Sequence, residues 1–94
     1  MKPEWVRKLA DVAKTKGTPL SFDKDQILFY QGHLPFGIFW VDDGRIQHKT
    51  QTPSGREKIV GDSTNNDIVG LEDLLENHPY TFTAVTLAPS RVSF

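Results

Sequence analysis

The chain has 94 residues, no cysteine and a formal net charge of −1 from 11 basic and 12 acidic side chains. That length holds one domain with a modest core, burying about 60–65% of the surface its unfolded form exposes. The lack of cysteine excludes a disulfide scaffold, a thiolate metal site and a cysteine nucleophile together, and the balanced charge gives no case for nucleic-acid binding by this segment itself.

The opening MKPEWVRKLADVAK carries charges throughout and has no apolar h-region, so it does not read as a signal peptide. No apolar run approaches the ~20 residues a membrane helix needs. The expectation is a cytoplasmic domain without a membrane partner. The same stretch reads as a helix, roughly Pro3 to Thr15. Pro3 and Glu4 suit its first turn, Lys14 and Lys16 suit its last, and Gly17 ends it. Trp5, Val6, Leu9, Ala10, Val12 and Ala13 recur at helical spacing. Residues 1–17 are therefore expected to pack as an N-terminal helix on a β domain of residues 18–94.

After Gly17 the period changes. Short runs rich in β-branched and aromatic residues follow in order: PLSF, QILFY, GIFWV, RIQHKT, REKIV, DIVG, YTFTAVTL and RVSF. The separators DKD, QGHLP, DDG, PSG and STNN favour turns, and Asp43-Gly44 and Ser54-Gly55 read as tight hairpins. In RIQHKT, Ile46 and His48 share one face while Arg45, Gln47 and Lys49 share the other. Many short strands without helix alternation predict a mainly β sandwich, jelly roll or barrel. A short acidic helical turn is expected at about 71–76, between Gly70 and the break at Pro79. The last run, RVSF, reads as a strand begun and not finished, leaving a neighbour's edge unpaired.

In order and spacing, QG, VDDGR, SGRE, NDIVG and PYTFTAV resemble the cyclic-nucleotide-binding domain of the catabolite-activator and fumarate/nitrate-regulator superfamily. The resemblance runs over residues 18 to 94. It implies a double-stranded β-helix, the jelly roll, with an N-terminal helix and a short phosphate-cassette helix. It also implies a ligand cassette at Gly70, Leu71, Glu72, Tyr80 and Thr81. In nucleotide-binding members a glutamate after the cassette glycine holds the ribose and an arginine at the next strand pairs with the phosphate. Here Leu71 follows Gly70, Glu72 stands one place late, and Tyr80 and Thr81 occupy the arginine's place. Asn66 stands where the family commonly has glycine and tolerates the same left-handed backbone.

Charge decides how that cassette is read. Residues 59–90 hold no Lys or Arg, against Asp62, Asp67, Glu72, Asp73 and Glu76. A hydrogen bond to a charged group contributes about 1.5–3 kcal/mol, so losing an Arg–phosphate pair weakens binding by roughly one to two orders of magnitude. The expectation is a non-catalytic sensory domain of a transcription regulator, without ordinary cyclic-nucleotide binding and without another cofactor. Its effector is an unknown small molecule or protein partner. The open C-terminal strand predicts a homodimer, through that strand or the N-terminal helix face. The alternatives are a genuine cAMP or cGMP receptor domain and a small cupin-like metal-dependent protein.

The remaining residues add little chemistry. His33, His48 and His78 fall in a turn, a strand and a loop, without the spacing of metal ligands. Glu72, Asp73 and Glu76 read as solvated complement to a helix dipole. Ser54, Ser63 and Ser90 show no arrangement of a nucleophile. Phe39 and Trp40 belong to the core.

Overall fold

The alternation in RIQHKT is realised in β4 (Arg45–Gln51), where Ile46 is fully buried and the two end residues are exposed. The computed structural model describes Glu4, Lys8, Val12 and residues 15–94. The expected helix from Pro3 to Thr15 and its packing on the domain lie for the most part outside the described residues.

Each of the runs singled out above carries a strand. They are β1 (Pro19–Phe22), β2 (Ile27–Phe29), β3 (Phe39–Asp43), β4, β5 (Glu57–Thr64), β6 (Ile68–Val69), β7 (Thr83–Thr86) and β8 (Ser90–Ser93). The helix α1 (Leu71–Glu76) interrupts them between β6 and β7. One four-stranded sheet has the order β1-β8-β3-β6 and the other β2-β7-β4-β5, with antiparallel pairing throughout. This is the jelly roll expected from the sequence. Among the described residues no helix is long and apolar enough to cross a membrane.

The core lies between the sheets, and both supply it: Phe39, Val41, Val69 and Val92 from one, Phe29, Ile46 and Ala84 from the other. Alternation along each strand brings these residues to the inner faces. β5, by contrast, is an edge strand with Ile59 and Val60 exposed, and its Glu57 and Lys58 discourage further pairing.

Two expectations about connections need correction. Ser54-Gly55 does close the β4–β5 hairpin, with Gly55 at φ 86 and its N–H donating to Thr52 O at 2.8 Å. Asp43-Gly44 closes no hairpin, because β3 and β4 lie in different sheets. Gly44, at φ 147, is where the chain crosses between them, and a Cβ there would collide with Ser90. The second correction concerns RVSF. β8 is paired on both sides, by β1 and β3, and Phe94 exchanges backbone hydrogen bonds of 2.9 Å with Thr18. The last strand is therefore an interior one among the described strands.

Candidate functional site

α1 begins at Gly70, which takes the left-handed conformation at φ 90, ψ 4. Glycine suits this position twice over: the φ is positive, and a Cβ would lie 3.2 Å from the ring of Tyr80. The helix stops after six residues at Asn77, also left-handed at φ 56, whose N–H bonds back to Asp73 O and Leu74 O. Asn66, in the turn before β6, has φ 72, the left-handed backbone expected of a residue in a glycine's place.

A cavity of about 300 Å³ lies against α1. It is lined by β6, by Gly70, Leu71, Glu72 and Asp73, by Thr81 and Phe82 ahead of β7, and by His48 of β4. That is the lower end of the ~300–1,000 Å³ usual for small-molecule pockets. Of the residues named from the sequence, Gly70, Leu71, Glu72 and Thr81 meet at this cavity. Tyr80 does not line it. Its side chain is buried in the core, stacked on Phe29 with ring centroids 3.8 Å apart, and its hydroxyl donates to Gly37 O at 3.2 Å. Burial raises its pKa above the usual tyrosine value. Arginine at position 80 would bury a guanidinium among aromatic rings rather than present it to a ligand.

Sequence reasoning missed two residues. Asp73 is 3% exposed, not part of a solvated face. Its carboxylate accepts from the Thr81 N–H at 3.2 Å and the Thr81 hydroxyl at 3.3 Å, tying α1 to the segment that enters β7. His78 Nδ1 lies 3.3 Å from the same carboxylate and Nε2 lies 2.7 Å from Glu76. Hydrogen bonding to Pro79 O and to Glu76, with the Asp73 charge nearby, raises the His78 pKa. No spacing rule would have linked Asp73 to Thr81.

The second missed residue is His48, which stacks on Phe82 with centroids 4.2 Å apart and an interplanar angle of 13°. Its Nε2 lies 2.8 Å from the Ser63 hydroxyl. A signal existed, since alternation put His48 on the inward face with Ile46, where a polar ring needs a polar partner. Burial lowers its pKa, against the opposing charges of Asp62 and Asp67, and so favours the neutral ring. The Ser63–His48 contact is not a nucleophile pair: Ser63 is buried, and among the described residues no carboxylate accepts from His48. Among the described residues no cluster of His, Asp and Glu could hold a metal ion.

The electrostatics of the cavity follow from its lining. Among the described residues it has two carboxylates, Glu72 and Asp73, one imidazole, and no Lys or Arg. The cations of β4 are engaged elsewhere, Arg45 with Asp62 at 3.0 Å and Lys49 with Glu57 at 3.5 Å.

Comparison with known proteins places this arrangement. A comparison with curated proteins finds no match. Among solved structures, a candidate cAMP-binding regulatory protein from Silicibacter pomeroyi DSS-3 aligns with a TM-score of 0.82 at 28% identity, over 93% of this chain and 40% of that one. The catabolite activator protein of Thermus thermophilus aligns with a TM-score of 0.80 at 19% identity, over 92% of this chain and 40% of that one. The sensor domain of the transcriptional regulator DNR from Pseudomonas aeruginosa aligns at 0.75 and 20% identity, over 93% and 58% of the two chains. The chain thus spans 40% of the length of the first two and 58% of the third. The family model of the cyclic nucleotide-binding domain matches residues 19–94. The jelly roll, the glycine-started α1 and the cavity beside it are accounted for together: the chain belongs to the cyclic nucleotide-binding domain family.

Proposed function

We propose that this domain is a non-catalytic sensory module of a transcription regulator whose cavity does not take cyclic AMP or cyclic GMP in a phosphate-paired manner. The observation that carries the second part is the lining without Lys or Arg among the described residues. A cyclic monophosphate brings one full negative charge, which needs a cation or several aligned donors once removed from water. Burial favours the neutral ring of His48, and His78 is occupied by Asp73 and Glu76. Glu72 and Asp73 add repulsion instead. The regulatory part rests on family membership and on regulators among the structural relatives.

The test is a thermal melt with either nucleotide. A ligand at 100 times its dissociation constant stabilises a fold by about 2.7 kcal/mol, a readily visible shift. No shift is expected at micromolar cyclic AMP or cyclic GMP, and a clear one overturns this function. Thr81→Arg, at the position facing the cavity, is expected to gain affinity.

Self-association is also part of this proposal. With β8 paired on both sides, support comes from exposed apolar side chains, with Phe36 59% and Phe94 40% exposed. The Phe36 and Phe94 rings lie 5.5 Å apart. A second copy is the proposed occupant, and light scattering over a tenfold dilution tests it. A monomer at every concentration overturns it.

A further inference from the structure

We infer that the cavity beside α1 selects its ligand by charge, taking a planar neutral or cationic small molecule that carries hydrogen-bond donors and rejecting anions. This rests on the cavity being the sensory site, and goes beyond it by naming the ligand class.

Three observations converge on that class. The first is the Glu72 carboxylate, which lines the cavity and has no hydrogen-bond or ion-pair partner among the described residues. Asp73 on the next position is already occupied by Thr81 and His78, so Glu72 is the acceptor left for a ligand. The second is the His48 and Phe82 pair, stacked at 4.2 Å and both lining the cavity, whose ring carbons give it an apolar wall that another planar group can meet. The third is the absence, among the described residues, of any Lys or Arg from the lining, so no described cation offsets a ligand's negative charge. A donor-bearing planar molecule satisfies Glu72 and covers the apolar wall. An anion does neither without placing like charges together.

A charge series of near-isosteric probes tests this: benzamidine, benzamide and benzoate, titrated to millimolar concentration and followed through the backbone amide resonances of Gly70, Thr81 and Phe82. The expected order of affinity is benzamidine, then benzamide, then benzoate, with the ends separated by about tenfold or more. Glu72→Gln, a swap on an exposed and unpartnered side chain, leaves melting unchanged and flattens the series. Benzoate binding as tightly as benzamidine overturns the inference. So does a series that Glu72→Gln leaves untouched, or the lack of any resonance shift with all three probes. Cyclic AMP is the separating arm: micromolar binding of it overturns the function proposed above together with the charge selection, whereas preference for benzoate without cyclic AMP binding overturns only the charge selection.

Discussion

Tyr80 and Thr81 are chain neighbours with opposite surroundings. On the Tyr80 side lies an aromatic floor in which Phe29 stacks on Tyr80 at 3.8 Å and faces Phe39 at 6.1 Å, with the Phe36 ring edge-on to both Phe39 and Tyr80. On the Thr81 side lies a polar wall, with Glu72 and Asp73 lining a cavity and His78 set against Asp73. Area and shape hold the floor together; aligned donors and charges hold the wall. Stability and cavity charge are thus divided between the two sides of one short segment. Substitutions in the floor should therefore change global stability with little effect on charge, and those in the wall should change the cavity's charge with structural effects confined to their own segment.

The largest expected effect is Phe29→Ala, which removes the ring between Tyr80 and Phe39 and opens a cavity in the floor. It should cost about 3–5 kcal/mol, read from the urea midpoint and the melting temperature. A cost below 1 kcal/mol would show that the floor is not the main support of this end of the domain.

Asp73→Ala comes next. It leaves the Thr81 N–H without its acceptor and frees α1 from the segment entering β7, at about 1–3 kcal/mol. Hydrogen exchange should localise the damage to residues 70–82, leaving the β4–β5 hairpin protected. Exchange rising evenly through both sheets would mean that the wall is not a separate unit.

Tyr80→Phe sharpens the comparison by keeping the stacked ring and removing only the hydroxyl that donates to Gly37 O. The expected cost is about 0.5–1.5 kcal/mol, well below that of Phe29→Ala. An equal cost would make the floor depend on its hydrogen bond rather than on its rings.

The smallest effect is a pair of opposed pH dependences, measured as urea midpoints across pH 5 to 8 in the parent protein, His78→Gln and His48→Gln. The His78 pKa is raised above 6.5, so its contribution is full below that value and is lost as pH rises through the folded pKa. The His48 pKa is lowered below 6.5, so its contribution is full above that value and is lost as pH falls through the folded pKa. Each glutamine variant should remove one limb only. Loss of both limbs in either variant would mean that the two histidines titrate as a unit.

What the sequence alone determined was everything that depends on near neighbours. The strand runs follow from alternation and β-branched composition, the β4–β5 hairpin from Ser54-Gly55, the α1 start from Gly70, and the left-handed turn from Asn66. These features need only the φ/ψ preferences of a few residues. The set and order of motifs carried the family and the jelly roll, and the empty inventory of Lys and Arg over residues 59–90 carried the anionic character of the cavity. The tertiary structure alone decided which face each residue joined. Gly44 became a crossing between sheets because Ser90, far along the chain, packs against it. β8 became an interior strand because β1 and β3 close on it from both sides. Asp73 became buried because Thr81 supplies two donors, and Tyr80 became core because Phe29 and Gly37 receive its ring and hydroxyl. His48 became a cavity wall because Phe82 and Ser63 fix its ring. Partners such as Gly37 and Tyr80, 43 positions apart, leave no mark in local spacing, since the hydrogen bond that joins them forms only once the sheets have met.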